Sequence, residues 1–204
     1  MSEHELNARE AIDDDEAEQE EELRLDPEVE ARRAAAMSLI RRFGDPVLKS
    51  RATPVDRFDD ALRNQVSRMA GIMSDALGVG LAAPQLGVSQ RVLVYRVGSE
   101  APTIALVNPE LEWRSDGEAE TLEEGCLSIP GVQLDVERPV HVRVRAQDEH
   151  GAPRTVEASG LEARVIQHEM DHLDGVLILE RTTKDQRKEA MRTLREQERE
   201  REAA

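Results

Sequence analysis

Two histidines four residues apart are the clearest chemical signal in the chain. His168 and His172 enclose Glu169 in the pattern H-E-x-x-H, and residues four apart lie on one face of an α-helix. Both imidazoles can therefore bind one divalent ion, with the carboxylate beside it as a general base. The alternative is a solvated helix that carries two histidines. We favour the metal site, because adjacent buried imidazoles are costly unless a ligand or hydrogen bonds satisfy them.

A catalytic metal site usually has three protein ligands and one open position, so a third ligand must come from elsewhere. Cys126 is the candidate, because it is the only cysteine and it follows Gly125 just after a polar turn. A lone cysteine is also commonly a small buried hydrophobic residue. The residues alone leave both interpretations open. A single cysteine excludes an intrachain disulfide, which fits a reducing compartment.

The spacing of apolar residues predicts the elements that precede the motif. An amphipathic helix is predicted between Val55 and Leu77, ended by Gly78. Alternation with a period of two predicts several short, mostly antiparallel strands between about residues 90 and 159, including Val92 and Val94. The apolar stripe of the helix comprises Phe58, Leu62, Val66, Met69, Met73 and Leu77.

Further helices are predicted at the motif and at the end of the chain. Ser159 and Glu162 have the spacing of a capping box, which would begin a helix over about residues 160–173. Alternating charges predict an exposed helix from Lys184 to Glu202. The fold class is therefore α+β, with strands around a central metal-binding helix, an N-terminal amphipathic helix and a C-terminal helix.

The chain of 204 residues is long enough for one domain with additional segments at its ends. Residues 1–30 contain 14 acidic residues and two arginines, and such a segment buries too little apolar surface to fold alone. We predict an acidic extension over residues 1–36 that is disordered or a loose helix, a globular domain over 37–180 and a charged helical segment over 181–204. An alternative is that translation starts at Met37.

The charge of the chain excludes some classes of protein. Its formal net charge is −16, whereas general nucleic-acid binding needs a basic surface that displaces counterions from phosphates. No stretch approaches the roughly 18 apolar residues of a membrane span, and the N-terminus lacks the apolar segment of a secretory signal. We predict a cytoplasmic protein that binds neither membranes nor specific nucleic-acid sequences.

Three separated segments together resemble the peptide deformylase family. They are G-V-G-L-A-A-P-Q at 78–85, E-G-C-L-S at 124–128 and Q-H-E-M-D-H at 167–172. Each is short, but all three in this order are specific to the family. The resemblance extends from about Leu39 to Leu179. The sequence departs from simpler family members in its acidic leader and at the polar Arg164.

The resemblance implies a catalytic role for six residues. The metal ligands would be Cys126, His168 and His172, and Glu169 would be the acid/base. The Gln85 side-chain amide and the Leu127 backbone N–H would stabilise the oxyanion, where removing one donor typically costs about 10²–10³ in rate.

The resemblance also implies a substrate site for the first side chain, which should be methionine. Three of its residues are equally compatible with a place in the core, namely Val79, Leu161 and Val165. The implied residues of this site are Val79, Gly80, Gly125, Leu161 and Val165.

The implied reaction removes the N-formyl group from the N-terminal methionine of newly made bacterial proteins and releases formate. Its partners would be N-formylmethionyl nascent polypeptides. Thiolate and imidazole ligands suit both Fe²⁺ and Zn²⁺. The resemblance favours Fe²⁺ as the native ion, with Zn²⁺ or another divalent ion as a replacement.

Two other functions are compatible with parts of this pattern. Zinc peptidases that cut internal bonds also carry H-E-x-x-H, but their third ligand usually follows the motif, whereas Cys126 precedes it. A catalytically inactive binding module is the second alternative, and the complete set of ligands with Glu169 and Gln85 argues against it. Residues 181–202 hold eight basic and six acidic residues. This end could contact the ribosome, although we favour a solvated helix with i,i+4 ion pairs.

Overall fold

The computed structural model describes residues 25–203, which form four α-helices and seven β-strands. The helices are α1 (Pro27–Leu39), α2 (Asp60–Asp75), α3 (Gly160–Leu173) and α4 (Lys184–Ala203). The strands are β1 (Gly80–Ala82), β2 (Val92–Tyr95), β3 (Ile104–Arg114), β4 (Ala119–Cys126), β5 (Ile129–Pro139), β6 (His141–Gln147) and β7 (Pro153–Ser159). Short 3-10 helices span Pro46–Lys49, Ala83–Leu86 and Ile178–Glu180.

The strands form two antiparallel sheets. A five-stranded sheet has the order β1-β2-β3-β6-β7, and β4 pairs with β5 in a separate hairpin. The helices α2 and α3 cover opposite faces of the larger sheet, each with its own cluster of buried side chains. A third cluster joins the hairpin to α4 and to Leu177, Ile178 and Leu179. The predicted α+β class, with antiparallel strands around the motif helix, is confirmed.

The strand β2 is buried on both faces, whereas an alternating pattern predicts one buried and one exposed face. All four residues of β2 are at most 1% exposed. Val92 and Val94 face α2, whereas Leu93 and Tyr95 face α3. Because helices cover both faces, β2 is apolar throughout. The strand β6, which lies between β3 and β7, does alternate, with Val142 and Val144 buried and Arg143 exposed between them.

The amphipathic helix is shorter than predicted at both ends. It begins after Asp59, whose carboxylate accepts hydrogen bonds from the N–H groups of Ala61 and Leu62. Phe58 therefore precedes the helix. At the other end Leu77 has a φ of 58° and is 53% exposed, so the stripe stops at Met73. Gly78, the residue predicted to end the helix, lies after Leu77, and the helix has already ended at Asp75.

Residues 27–36, assigned by the sequence to a disordered or loosely helical extension, form most of α1. The helix has local start signals, because Pro27 occupies its first turn and the Asp26 carboxylate accepts from the Glu28 N–H at 2.8 Å. Ala36 and the following Ile40 are buried in the cluster around α2. Residues 1–24 lie outside the described residues, and the boundaries at 36 and 180 remain predictions.

The helix α3 has the predicted extent but not the predicted capping box. Ser159 makes no side-chain cap hydrogen bond; its hydroxyl lies 2.7 Å from His141 Nδ1. The Glu162 carboxylate accepts from the Tyr95 hydroxyl at 2.9 Å. Ser159 and Glu162 therefore contact residues of the sheet and do not cap the helix. Within the described part of the chain, no helix combines the length and apolar character that crossing a membrane requires.

Candidate active site

The structure brings the three predicted metal ligands together. His168 and His172 lie one turn apart on α3, with ring centroids 5.1 Å apart. Cys126 ends β4, and its Sγ lies 3.3 Å from His172 Nε2. One ligand atom from each of the three residues falls within 4.8 Å of the others. One cysteine and two histidines at this separation offer a donor set that could hold a catalytic divalent metal ion.

The protonation of the two imidazoles also fits a cation. Burial lowers the pKa of His172 well below its usual value, so this ring is neutral and available as a ligand. Burial opposes the charge on His168, but contacts with Cys126 and Glu124 outweigh it and raise its pKa well above its usual value. A metal ion would replace that proton. His172 Nδ1 is buried without a partner among the described residues.

Glu124, which the sequence reasoning did not assign, fixes the orientation of His168. Its Oε2 lies 3.0 Å from His168 Nδ1, so Nε2 is the ring nitrogen left to face Cys126. A carboxylate behind a ligating histidine sets the tautomer and increases the basicity of the ring. Burial would raise the pKa of Glu124, but hydrogen bonds from His168 and Arg138 prevail and lower its pKa to about 2. Glu124 is therefore ionised.

Buried arginines hold Glu124 in place. Arg138 donates from Nε to Oε1 at 2.6 Å and from Nη2 to Oε2 at 2.9 Å. Arg164, which lies on α3, donates to Oε1 at 2.7 Å. Arg138 also donates from Nη1 to Asp171 at 2.9 Å, and Asp171 accepts from Arg181 Nε at 3.0 Å. We call the four buried residues Glu124, Arg138, Arg164 and Asp171 the buried charge network, which the exposed Arg181 contacts through Asp171.

The sequence carried one signal for this network that could have been used. Glu124 and Asp171 are charged residues inside the two motifs that contain the predicted metal ligands, and charges that become buried need partners. The identity of the partners was hidden, because Arg138 lies opposite Glu120 in the hairpin register and reaches Glu124 with its side chain. Strand register is not readable from a single motif.

Glu169 lies beside the predicted metal ligands on α3 and is 4% exposed. Its Oε2 has no hydrogen-bond partner in the part of the chain that the structure describes. Burial raises the pKa of Glu169 to about 7, although the charges of His168 and Arg138 act in the opposite direction. A carboxyl group of this kind can both accept and return a proton near neutrality.

Gly80 makes room for Glu169. A Cβ at Gly80 would lie 2.4 Å from Glu169 Oε1, well inside any normal contact. The strand β1 can therefore pass directly against the carboxylate only because residue 80 has no side chain. This packing reason for the glycine is additional to the backbone role in substrate binding that the resemblance implies.

The two predicted oxyanion donors flank Cys126. Gln85 is 1% exposed, and its Oε1 accepts the Ala82 N–H at 2.8 Å. Its Nε2 then lies 3.2 Å from Ser128 Oγ and 3.9 Å from Cys126 Sγ. The amide is thus held with its NH₂ group toward the site. Leu127 occupies the first position of the two-residue turn between β4 and β5, so its N–H follows directly on Cys126.

A pocket of about 410 Å³ opens onto these groups. All five predicted substrate residues line it, and they are Val79, Gly80, Gly125, Leu161 and Val165. Val79 and Leu161 are 49% and 56% exposed, so they form an apolar rim rather than core. Arg164 lies in the wall, with its guanidinium committed to Glu124. Two lining residues, Arg33 and Met37, come from α1 and were not expected from the sequence.

Comparison with known proteins gives one family. The sequence model of the polypeptide deformylase family matches residues 37–188. A peptide deformylase from Parafrankia sp. (strain EAN1pec) is 48% identical over 163 residues, which are 78% of this chain and 86% of that protein. One from Thermotoga sp. (strain RQ2) is 48% identical over 145 residues, which are 71% of this chain and 87% of that protein.

Solved structures show the same similarity. The peptide deformylase from Synechococcus elongatus in complex with actinonin matches with a TM-score of 0.72 and 46% identity, over 76% of this chain and 85% of that one. The peptide deformylase from Legionella pneumophila matches with a TM-score of 0.75 and 38% identity, over 81% of this chain and 97% of that one.

Proposed function

The chain belongs to the polypeptide deformylase family, hydrolases that remove the N-formyl group from nascent peptides, and we propose that Cys126, His168 and His172 hold its catalytic metal ion. The observation that carries the proposal is the placement of these three ligand atoms within 4.8 Å of one another, next to Glu169 and at a pocket of about 410 Å³.

A divalent ion in this position would supply Lewis acidity, which lowers the pKa of water and polarises a carbonyl oxygen. The donor set suits Fe²⁺ and Zn²⁺, and we propose Fe²⁺ as the native ion. Metal analysis of protein purified without oxygen should find iron. Because thiolate and ferrous iron are both oxidisable, activity should decline in aerated buffer and persist in zinc-substituted protein. Equal stability of both preparations in air would contradict iron.

Glu169 is the group that moves the proton. It accepts a proton from water as the water attacks the formyl carbon, and it returns the proton to the amine as the C–N bond breaks. The products are formate and a peptide with a free N-terminal methionine. The burial of Glu169 and its raised pKa support both halves of this role, because the acid and base forms are both accessible near neutrality.

Gln85 and Leu127 stabilise the charge that develops on the formyl oxygen. The Gln85 amide is preorganised by its contacts with Ala82 and Ser128, so no reorganisation is needed during the reaction. The Leu127 N–H adds a second donor from the turn that follows Cys126. Substituting Gln85 by Leu should lower kcat by about 10²–10³, the usual cost of one oxyanion donor.

The methionine side chain and the adjacent backbone bind in the pocket. Leu161 and Val165 lie one turn apart on α3 and present an apolar surface. Val79 directly precedes β1, Gly80 begins β1 and Gly125 lies on β4, and all three line the pocket beside this surface. An unbranched apolar side chain such as methionine fits a site of this composition, because its flexibility adapts to irregular apolar walls.

The central experiment compares two substrates and two variants. The wild-type protein should release formate from formyl-Met-Ala-Ser and should not cut unblocked Met-Ala-Ser, which separates deformylation from peptidase activity. Glu169→Ala should retain bound metal and lose turnover. Glu162→Ala is the matched control, because Glu162 lies on the same helix but outside the pocket. Cleavage of the unblocked peptide alone, or full activity of Glu169→Ala, would overturn the proposal.

We also propose that the protein works in the cytoplasm and approaches the ribosome through α4. The helix buries one face, with Ala190 4% exposed and Leu194 packed in the same cluster. Lys188, Arg192 and Arg199 remain exposed on another face. Substituting these three by Glu should weaken co-sedimentation with ribosomes and should leave deformylation of free tripeptides intact. Unchanged co-sedimentation would support a purely solvated helix instead.

A further inference from the structure

Arg33, one of two residues that α1 adds to the pocket wall, precedes the part of the chain that the family model matches. The family match begins at residue 37, whereas α1 begins at Pro27. Arg33 and Met37 lie one turn apart on this helix and both line the pocket. The N-terminal helix therefore takes part in the substrate site of this chain.

Arg33 lies in the inward stripe of α1. Val29, Met37 and Ile40 are partly or fully buried, and their spacing of three or four residues places them on one face with Arg33 between them. An apolar residue would be expected at position 33. Arg33 is exposed instead, because its part of the stripe faces the open pocket rather than the core.

Arg33 is the solvent-exposed arginine among the residues that line the pocket. Arg164 is committed to Glu124 and to the carbonyl oxygens of Val136 and Glu120. Within residues 25–201, neither Glu123 nor Glu124, the acidic residues of β4 that line the pocket, forms a salt bridge with Arg33, and Glu124 pairs with Arg138 and Arg164 instead. Glu123 is exposed elsewhere in the lining and would repel acidic ligands, so Arg33 supplies the attraction.

We propose that Arg33 is a specificity-determining residue that favours formylated peptides with an acidic side chain at the second or third position. The inference rests on the proposed function, because the methionine pocket fixes where the peptide begins. We place the residues that follow methionine toward α1, because Arg33 and Met37 line the same pocket as Leu161 and Val165. A guanidinium there pairs with a carboxylate in solvent, an interaction that is modest and sensitive to salt.

The test uses the full-length metal-loaded protein and C-terminally amidated tripeptides, so that a side chain carries the only carboxylate. The ratio of kcat/KM for Glu over Gln is measured at the second position and then at the third. Wild type should prefer Glu at one of them. Arg33→Gln should lower that ratio about two- to fivefold, the range of an exposed ion pair, through KM. Arg33→Lys should retain part of the preference, and the effect should fade in high salt.

Arg32→Gln is the matched control, because Arg32 is an exposed arginine of the same helix that does not line the pocket. It should leave the ratio unchanged. An equal loss in both variants would show a general charge effect and overturn the proposal, as would no preference in wild type. A gain of Arg33→Gln on every substrate would indicate competition by the acidic leader and would also overturn it. Failure of wild type to release formate from any tripeptide would instead refute the proposed function.

Discussion

Replacing Glu124 by Gln tests whether the buried charge network orients His168 for metal binding. Glu124 accepts four hydrogen bonds, two from Arg138 and one each from Arg164 and His168. The amide of Gln keeps one acceptor oxygen and brings an NH₂ group against cationic donors. Arg164 then loses its counterion and Arg138 keeps only Asp171, and removing one partner of a buried ion pair typically costs about 3–5 kcal/mol.

The effect on the metal should be separate from the effect on folding. Without a carboxylate at Nδ1, His168 is no longer held with Nε2 toward Cys126, and loss of such a partner usually weakens metal binding about 10–100-fold. Zinc affinity is measured by competition with a coloured chelator under anaerobic conditions. The free energy of unfolding of the metal-free protein is measured by urea titration.

Glu120→Gln provides the matched control for this prediction. Glu120 lies on the same strand with an exposed side chain, and only its backbone carbonyl reaches Arg164. This variant should change neither quantity appreciably. Wild-type zinc affinity in a destabilised Glu124→Gln protein would mean that the carboxylate is structural only, and would refute the orientation of His168 by Glu124.

Three further outcomes follow from packing and burial. Gly80→Ala should fold but lose most activity, because its Cβ would lie 2.4 Å from the Glu169 carboxylate. Gly71 lies on the open side of α2, so Gly71→Ala should instead stabilise the protein by about 0.4–1 kcal/mol in thermal unfolding. Tyr95 is the only tyrosine, and burial together with the hydrogen bond to Glu162 raises its pKa. The free energy of unfolding should therefore fall as pH rises above about 10, the usual tyrosine pKa, because only the unfolded chain then loses the phenol proton. In a pH titration, phenolate absorbance should appear only together with unfolding. Ser159→Ala should cost less than the about 1 kcal/mol of a lost helix cap, measured by urea titration, because its hydroxyl makes no cap.

Local patterns predicted the elements that depend on local interactions. The extent of α3 and the joint placement of His168 and His172 follow from a periodicity of 3.6 and a spacing of four. The same reasoning made α2 too long, because Phe58 and Leu77 continue the spacing while the backbone leaves the helix. Apolar spacing marks a face, whereas caps and left-handed residues mark the ends.

Contacts between distant segments were out of reach of the sequence. Glu162 has the spacing of a capping residue, but its carboxylate accepts a hydrogen bond from the hydroxyl of Tyr95 on β2. Glu124 and Arg138 meet only when the hairpin register is known. The place of Arg33 depends on how α1 packs against α2, and an acidic segment of low apolar content gave no reason to expect it near the pocket.

The position of Arg181 has a consequence for when the metal can bind. Arg181 follows α3 and holds Asp171, whose other partner is Arg138. Still later in the chain, Gln197 donates to the Pro130 carbonyl at 3.3 Å, behind the turn that lines the pocket. Chains emerge from the ribosome N-terminal end first, so Arg181 and Gln197 emerge after all three predicted ligands. We therefore expect tight metal binding only once the chain up to Gln197 has left the ribosome.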